Sequence, residues 1–346
     1  MPIDVDYLPL RSTALTGALL GALTGCWPML ALAMAPPASR VVLAVHGGTG
    51  MAQADLTGDL EKQLRAALAA ALDAGYRVLC EPSGTSVDAV EAAITVLEDS
   101  PLFNAGRGSV FTAEGRNELD ASIMAGQGRK AGAVAGVTNV KNPIRAARAV
   151  MDSSSHVLLI GQGAESFAAE AGLEIVSPDY FWTESRWRQL QNFLRKQGTE
   201  PELPGSTREW GTVGAVALDR SGNLAAGTST GGMTGKRPGR LGDTPIIGAG
   251  TYADNDACAV SATGHGEYFI RYAVAHEIVA RMKYNHQSLE AAAADVVLTE
   301  LQTAGGEGGV IALDGKGNFA APFNSAGLYR GWIDQDDKQT IALYRG

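Results

Sequence analysis

Short apolar runs that stop at glycine and threonine recur along this chain, and they restrict it to a fold of short buried strands. VVLAV (41–45) ends at His46-Gly47-Gly48. TVGAVALD (212–219) and LAAGTST (224–230) flank the turn RSGN, which predicts a hairpin. ACAVSATG (257–264) ends at Thr263-Gly264. Further strands are expected near 109–113, 118–124 and 131–138, at HVLLI (156–160) between two short helices, and as three or four short strands from Val310 onward. Glycine supplies 43 of 346 residues without a G-X-Y period, so it marks tight turns and close backbone approach, and collagen is excluded.

Helices are equally legible. Leu56, Leu60, Leu64, Leu68 and Leu72 form one face over 56–79. Val87, Val90, Ala93, Ile94 and Leu97 repeat the pattern over 86–98, with Thr85 or Ser86 as the cap. ESRWRQLQNFLRKQ (184–197) and the stretches 266–284 and 288–304 are also helical by period. QGTEPELPGSTREW is polar and rich in Gly and Pro, so about 198–210 reads as a flexible linker. Strands cluster and helices cluster, which favours an α+β fold over a doubly wound one.

The first 35 residues read as an address. Arg11 precedes the uncharged run 12–35, and Ala33-Met34-Ala35 has the A-x-A form, so cleavage after Ala35 and export to the periplasm are expected. Leu23-Thr24-Gly25-Cys26 offers a competing lipoprotein exit, which would leave a lipid anchor on Cys26. A retained membrane anchor is the third reading. No other segment is apolar enough to span a membrane. The net charge of −9 becomes −8 once Asp4, Asp6 and Arg11 are removed, which argues against a nucleic-acid partner. Cys80 and Cys258 read as buried free thiols, with pairing in an oxidising compartment as the alternative.

There is no G-x-S-x-G elbow, no P-loop and no H-E-x-x-H, and a Rossmann reading of VVLAVHGGTG fails for want of G-x-G-x-x-G. Three strand ends instead carry hydroxyls beside glycines: Gly211-Thr212, Thr230-Gly231 and Thr263-Gly264. That points to a hydroxyl nucleophile with backbone donors. Each alone is an ordinary strand residue or cap. His46 reads as a buried structural histidine and Asn104 as a loop-shaping residue.

The motifs HGGTG (46–50), LFNAGRGSVFT (102–112), ELDASIM (118–124), GTVGAVALD (211–219), STGGMTGKRPGRLGDTPIIGAGTYAD (229–254) and ATGHGE (262–267) together carry a resemblance. Over about 40–346 the chain resembles the plant-type asparaginase/isoaspartyl peptidase family of N-terminal-nucleophile hydrolases. The resemblance implies a four-layer αββα sandwich, one domain cut between Gly211 and Thr212 into an α subunit (36–211) and a β subunit (212–346). These would assemble as (αβ)₂ and act on L-asparagine and β-aspartyl peptides.

The implied roles follow by position. Thr212 is the nucleophile and Thr230 orients it. Thr263 and the Gly264 N–H make the oxyanion hole. Arg240 holds the substrate carboxylate, and Asp243, with Gly266, holds its ammonium. No catalytic cofactor is implied. A structural sodium ion is, held by the backbone carbonyls of Leu97, Glu98, Ser100, Phe103, Ala105 and Arg107. His265 stands where a small polar residue is more usual. Glycosylasparaginase is the same-fold rival, although Trp210-Gly211 precedes the nucleophile where an acidic residue would be expected. A non-catalytic periplasmic amino-acid-binding protein is the rival from another class.

Overall fold

Alternating burial along the strands organises the protein, and a computed structural model describes it for residues 41–50, 52–197 and 211–345. The export signal (1–35, with the Cys26 alternative) and the linker (198–210) lie outside the described residues.

The first part of the chain forms β1 (Val42–Thr49), α1 (Gly58–Cys80), α2 (Ser86–Asp99), β2 (Leu119–Ala125) and β3 (Ala131–Val137). Then come α3 (Pro143–Ser153), β4 (Leu158–Ile160), α4 (Gly161–Glu170) and α5 (Glu184–Gln197). The second part contains β5 (Val213–Leu218), β6 (Leu224–Thr230), β7 (Thr251–Ala253) and β8 (Cys258–Gly264). It continues with α6 (Gly266–Arg271), α7 (Val274–Asn285) and α8 (Leu289–Ala294), and closes with β9 (Gly308–Asp314), β10 (Phe319–Ala320), β11 (Leu328–Ile333) and β12 (Gln339–Ala342).

Eight strands make one sheet in the order β12-β11-β1-β5-β6-β2-β3-β4, antiparallel except at β3/β4. Four make a second antiparallel sheet, β10-β9-β8-β7. In β1, Leu43 and Val45 join Leu64, Leu68, Leu72 and Ile94 of α1 and α2. Val42 and Ala44, pointing the other way, join Ala259, Ile311 and Leu313 of the second sheet. In β8, Val260 and Ala262 pack against Phe269, Val274, Ile278 and Leu289. The period of two thus sends successive residues to opposite faces, and both faces of the inner strands are apolar.

The α1 leucine stripe works as the pattern requires: Leu64, Leu68 and Leu72 are fully enclosed and Leu56 and Leu60 pack at its edge. Thr85 caps α2 by accepting the Asp88 N–H at 3.2 Å. The hairpin forms with Leu218 opposite Leu224.

Three expectations need correction. Residues 109–113 are not a strand. The Val110 N–H donates to Asn104 Oδ1, and Asn117 Nδ2 donates to the Ser109 and Val110 carbonyls, so side chains take the bonds a ladder would use. The helical stretch 266–284 breaks at Ala273, whose φ of +47° ends α6 and starts α7. Cys80 is exposed; Cys258 is buried, and both are free thiols. The stretch 288–304 is helical throughout, with a π segment over Asp295–Leu301.

Leu68→Ala removes a fully buried side chain between α1 and the larger sheet. A loss of about 2–5 kcal/mol is expected, measured by urea denaturation.

Candidate active site

The strand alternation that builds the core also aims the hydroxyls. Thr212 precedes β5, where Val216 and Leu218 face the second sheet, so Thr212 faces it too. Thr230 shares its face of β6 with Leu224 and Ala226. Thr263 shares its face of β8 with Ala259. All three threonines therefore point into the space between the sheets, and all are buried.

Val213 lies opposite Ser229, so the next step along the hairpin sets Thr212 beside Thr230. Thr212 Oγ donates to Thr230 Oγ at 3.0 Å. Thr230 Oγ also accepts the Gly232 N–H at 3.0 Å. The Gly211 carbonyl accepts the Asn104 N–H at 3.0 Å. Asn104 Nδ2 donates to the Gly232 carbonyl at 2.7 Å, and its own carbonyl accepts the Gly231 N–H at 3.1 Å. Asn104 thus shapes its loop, as expected, and also ties Gly211 to the end of β6. Gly48, with φ of +95°, lies so close that a Cβ there would sit 2.5 Å from Gly211 Cα. Only glycine suits both the conformation and the approach.

At the end of β8, Thr263 Oγ is buried without a hydrogen-bond partner among the described residues. Gly264 has φ of +153° and abuts the Glu307 carbonyl, so a side chain is excluded there. Asp243 lies nearby: a Cβ on Gly266 would sit 2.8 Å from its Oδ1. Its Oδ2 is buried and unpartnered among the described residues. Burial raises the Asp243 carboxyl to about 7. Arg240 makes a two-pronged pair with Glu267, Nε to Oε1 at 2.9 Å and Nη2 to Oε2 at 2.8 Å. His265 Nε2 lies 3.4 Å from Glu267 Oε2, and its ring meets Tyr268 edge-on.

Sequence reasoning missed a buried cation. Lys236 Nζ donates to the Glu118 carbonyl at 2.9 Å and lies 3.9 Å from Asp120 Oδ2. Burial pushes Asp120 up and Lys236 down, each opposed by the other's charge. A Cβ on Gly232 would meet Lys236 Nζ at 3.1 Å and Arg240 Nη1 at 3.4 Å, so both cations converge on that glycine. A charged residue inside ELDASIM was the available signal. His46 is fully buried, as expected, with Nε2 2.9 Å from Ser261 Oγ, and burial lowers it to about 3, so it is neutral.

The loop after α2 folds on its own carbonyls. Gly106, with φ of +50°, packs against the Glu98 carbonyl, and Gly108 against the Phe103 carbonyl. A Cβ at either glycine would fill that space. The carbonyls of Leu97 and Ala105 accept N–H bonds from Ser100 and Gly108. The Glu98 side chain turns away to accept from Ser229 Oγ at 2.6 Å and the Ile144 N–H at 3.0 Å.

Nucleophile-type hydroxyls, an orphan hydroxyl and a two-charge clamp meet at one end of the two sheets. An asparaginase family model matches residues 39–343, nearly the whole described chain. The chain belongs to the asparaginase family. It is 48% identical over 314 residues to an isoaspartyl peptidase of Salmonella typhimurium, covering 89% of this chain and 99% of the relative. An isoaspartyl peptidase of Escherichia coli is 48% identical over 311 residues, covering 88% and 97%. An isoaspartyl peptidase/L-asparaginase of Bos taurus is 42% identical over 287 residues, covering 83% and 91%. This asparaginase-family chain is a hydrolase.

The raised Asp243 carboxyl has a consequence for stability. Its folded value of about 7 exceeds its ordinary 3.8, so the folded state holds a proton that the unfolded state has released. Its contribution is complete below about 3.8 and declines as pH rises toward about 7. Asp243→Asn should flatten that decline, seen as a urea midpoint less dependent on pH between these limits.

Proposed function

We propose that this hydrolase is made as a precursor that cuts itself between Gly211 and Thr212, and then hydrolyses β-aspartyl dipeptides and L-asparagine through Thr212. The observation that carries the reading is the 3.0 Å contact from Thr212 Oγ to Thr230 Oγ beside a Gly211 carbonyl held by the Asn104 N–H.

The self-cleavage chemistry suits these groups. Thr212 Oγ adds to the Gly211 carbonyl carbon, and the Asn104 N–H steadies the oxygen that gains charge. Breaking the C–N bond moves the acyl group to oxygen and leaves the Thr212 amine. Water then hydrolyses the ester, which frees the hydroxyl. A free α-amine with a pKa of about 7.7–8.0 can accept the hydroxyl proton near working pH, which a peptide nitrogen cannot.

In the second reaction Thr212 attacks the side-chain carbonyl of the aspartyl group. Thr263 Oγ, buried without a described partner, and the Gly264 N–H are the donors for the oxyanion. Ammonia or an amino acid leaves with the proton that Thr212 gave up, and water resolves the acyl-enzyme. Asp243, aimed at the same space, pairs with the substrate ammonium. Arg240 Nη1, turned toward Gly232 and Gly242, takes the substrate carboxylate while Glu267 holds its other edge. A protein that merely bound amino acids would need the clamp but not the threonine pair.

The finer architecture belongs to the same reading. Helices on the outer face of each sheet and three apolar clusters support a four-layer αββα sandwich. Cleavage yields the α subunit 36–211 and β subunit 212–346, paired as (αβ)₂. The carbonyls around Gly106 and Gly108 suit a hard cation, and the six carbonyls from Leu97 to Arg107 would hold sodium as a structural ion. The apolar run before Ala35 supports export to the periplasm, with Cys26 lipidation as the variant route.

On a denaturing gel the protein should run as two bands near 18 and 14 kDa, the subunits' shares of 35.9 kDa. Thr212→Ala should leave one uncleaved, inactive chain; an active, cleaved variant overturns the assignment. Thr263→Ala should lower kcat by about 10²–10³ in ammonia release from asparagine. Because Asp243 must be ionised and the Thr212 amine neutral, kcat/KM should rise with pH through about 7.

A further inference from the structure

Away from the threonines, two guanidinium groups converge on one aromatic ring. Arg330 Cζ lies 5.1 Å from the Phe323 ring centre and Arg345 Cζ lies 5.0 Å from it. They line an open cavity of about 550 Å³ whose other walls include Leu298, Gln302 and Pro322.

Neither arginine has a carboxylate partner among the described residues. Arg330 spends its donors on backbone, Nη1 to the Leu328 carbonyl at 2.9 Å and Nη2 to the Tyr344 carbonyl at 3.4 Å. Arg345 Nη2 donates to the Phe323 carbonyl at 2.5 Å. Arg330 is partly buried, and burial lowers its pKa with no opposing charge. Two like charges beside one ring repel, and the ring's negative face offsets that only in part. Among the described residues no carboxylate faces either guanidinium, so the pair suits an anion. The walls also say what kind. Phe323, Pro322 and Leu298 are apolar, and Leu298 is 40% exposed, so the ligand that fits has a hydrophobic body beside its charge.

We infer that this cavity is a binding site, distinct from the threonine centre, for a small organic anion that joins a carboxylate to an apolar side chain. The carboxylate sits against Arg330 and Arg345, on the N–H groups that their backbone bonds leave over. The apolar arm lies on Phe323 against Pro322 and Leu298. Backbone bonds already orient both arginines, so little side-chain freedom is lost when the anion arrives.

The lining residues stand two strands from the threonines of the candidate active site, Arg330 through β1 from β5 and Phe323 through β9 from Thr263. Arg330 lies opposite His46, on the strand beyond the one that flanks β5. The aspartyl clamp lies elsewhere, on the segments after β6 and β8. Ligand at one site therefore need not exclude ligand at the other.

The test is calorimetry on the full-length wild-type chain with N-acetyl-L-leucine, in the presence of saturating L-aspartate to fill the threonine centre. N-acetyl-L-leucinamide, which lacks the charge, and inorganic phosphate, which lacks the apolar arm, serve as the comparison probes. The inference expects N-acetyl-L-leucine to bind more tightly than either. Arg345→Gln should weaken that binding by about tenfold or more while asparagine hydrolysis is unchanged. Phe323→Leu should weaken N-acetyl-L-leucine and leave phosphate unaffected. Equal binding of the amide, binding insensitive to Arg345→Gln, or no binding to the wild type would each overturn it. Phosphate binding as tightly as N-acetyl-L-leucine would overturn the assigned ligand class.

Discussion

The hydroxyl contact between Thr212 and Thr230 depends on a hairpin in strict register. β5 and β6 are joined by the five residues 219–223, and every residue from Val213 to Leu218 has a defined partner across the pair. A slip of one residue would send Thr212 to the helix-facing side and Val213 into the space between the sheets. Both faces of the hairpin are buried, so such a slip would also place hydroxyls among the leucines of α1 and α2. The geometry of the Thr212–Thr230 pair is therefore enforced by the same burial that stabilises the core.

The intersheet space also holds polar side chains that bond to one another. His46 meets Ser261, Ser261 lies 2.7 Å from Thr228, Thr251 donates to Thr228 at 2.6 Å, and Ser122 lies 2.8 Å from Thr251. The row is fully buried and draws on β1, β8, β6, β7 and β2. Isolated hydroxyls there would cost about 1–3 kcal/mol each, whereas a connected row costs little and holds the two sheets at one separation. Neutral His46 suits this role, because a charge would have no counterion among these hydroxyls. Thr263 Oγ and Asp243 Oδ2 are buried without a hydrogen-bond partner among the described residues, and both face the space where the proposed substrate would bind.

What the sequence reveals and what it hides have physical causes. Strands such as β1 and β8 were legible because continuous apolar runs ending in glycine have few other uses. The helix face of α1 was legible because leucines every four residues match its period. Residues 109–113 misled because alternation alone cannot show that Asn104 and Asn117 take the backbone bonds. The break at Ala273 carried no signal, since neither glycine nor proline marks it. Hydroxyls beside glycines at three strand ends mark the threonines locally, but only the joint pattern of family motifs sets Thr212 apart from an ordinary strand residue. Lys236 is hidden because a lysine in TGKRPGR reads as solvated; Asp120 inside apolar ELDASIM signals a buried partner, but tertiary packing alone shows that Lys236 is that partner.

That buried lysine bears on how the clamp discriminates. Lys236 and Arg240 approach Gly232 from one side, and Asp243 stands near Gly266 on the other. Asp120 offsets Lys236 below, and Glu267 offsets Arg240 at the rim, so the two cations are held close without strong net repulsion. The L-aspartyl head of the proposed substrates presents a carboxylate and an ammonium on one carbon, and this pairing of fixed charges would match both at once. A ligand with only the carboxylate leaves Asp243 unpaired in a buried place. Its raised pKa then lets it take a proton instead of a partner, so the ammonium adds little for a ligand that also forces that proton out below about pH 7. On the proposed function, the clamp would favour the zwitterionic head most when the medium is neutral or above, where the amine of a cleaved Thr212 would also serve as base. If the proposed cleavage occurs, the electrostatics of binding and of proton transfer would be matched to one range of pH by two different devices: burial of a carboxyl, and the release of a new chain end.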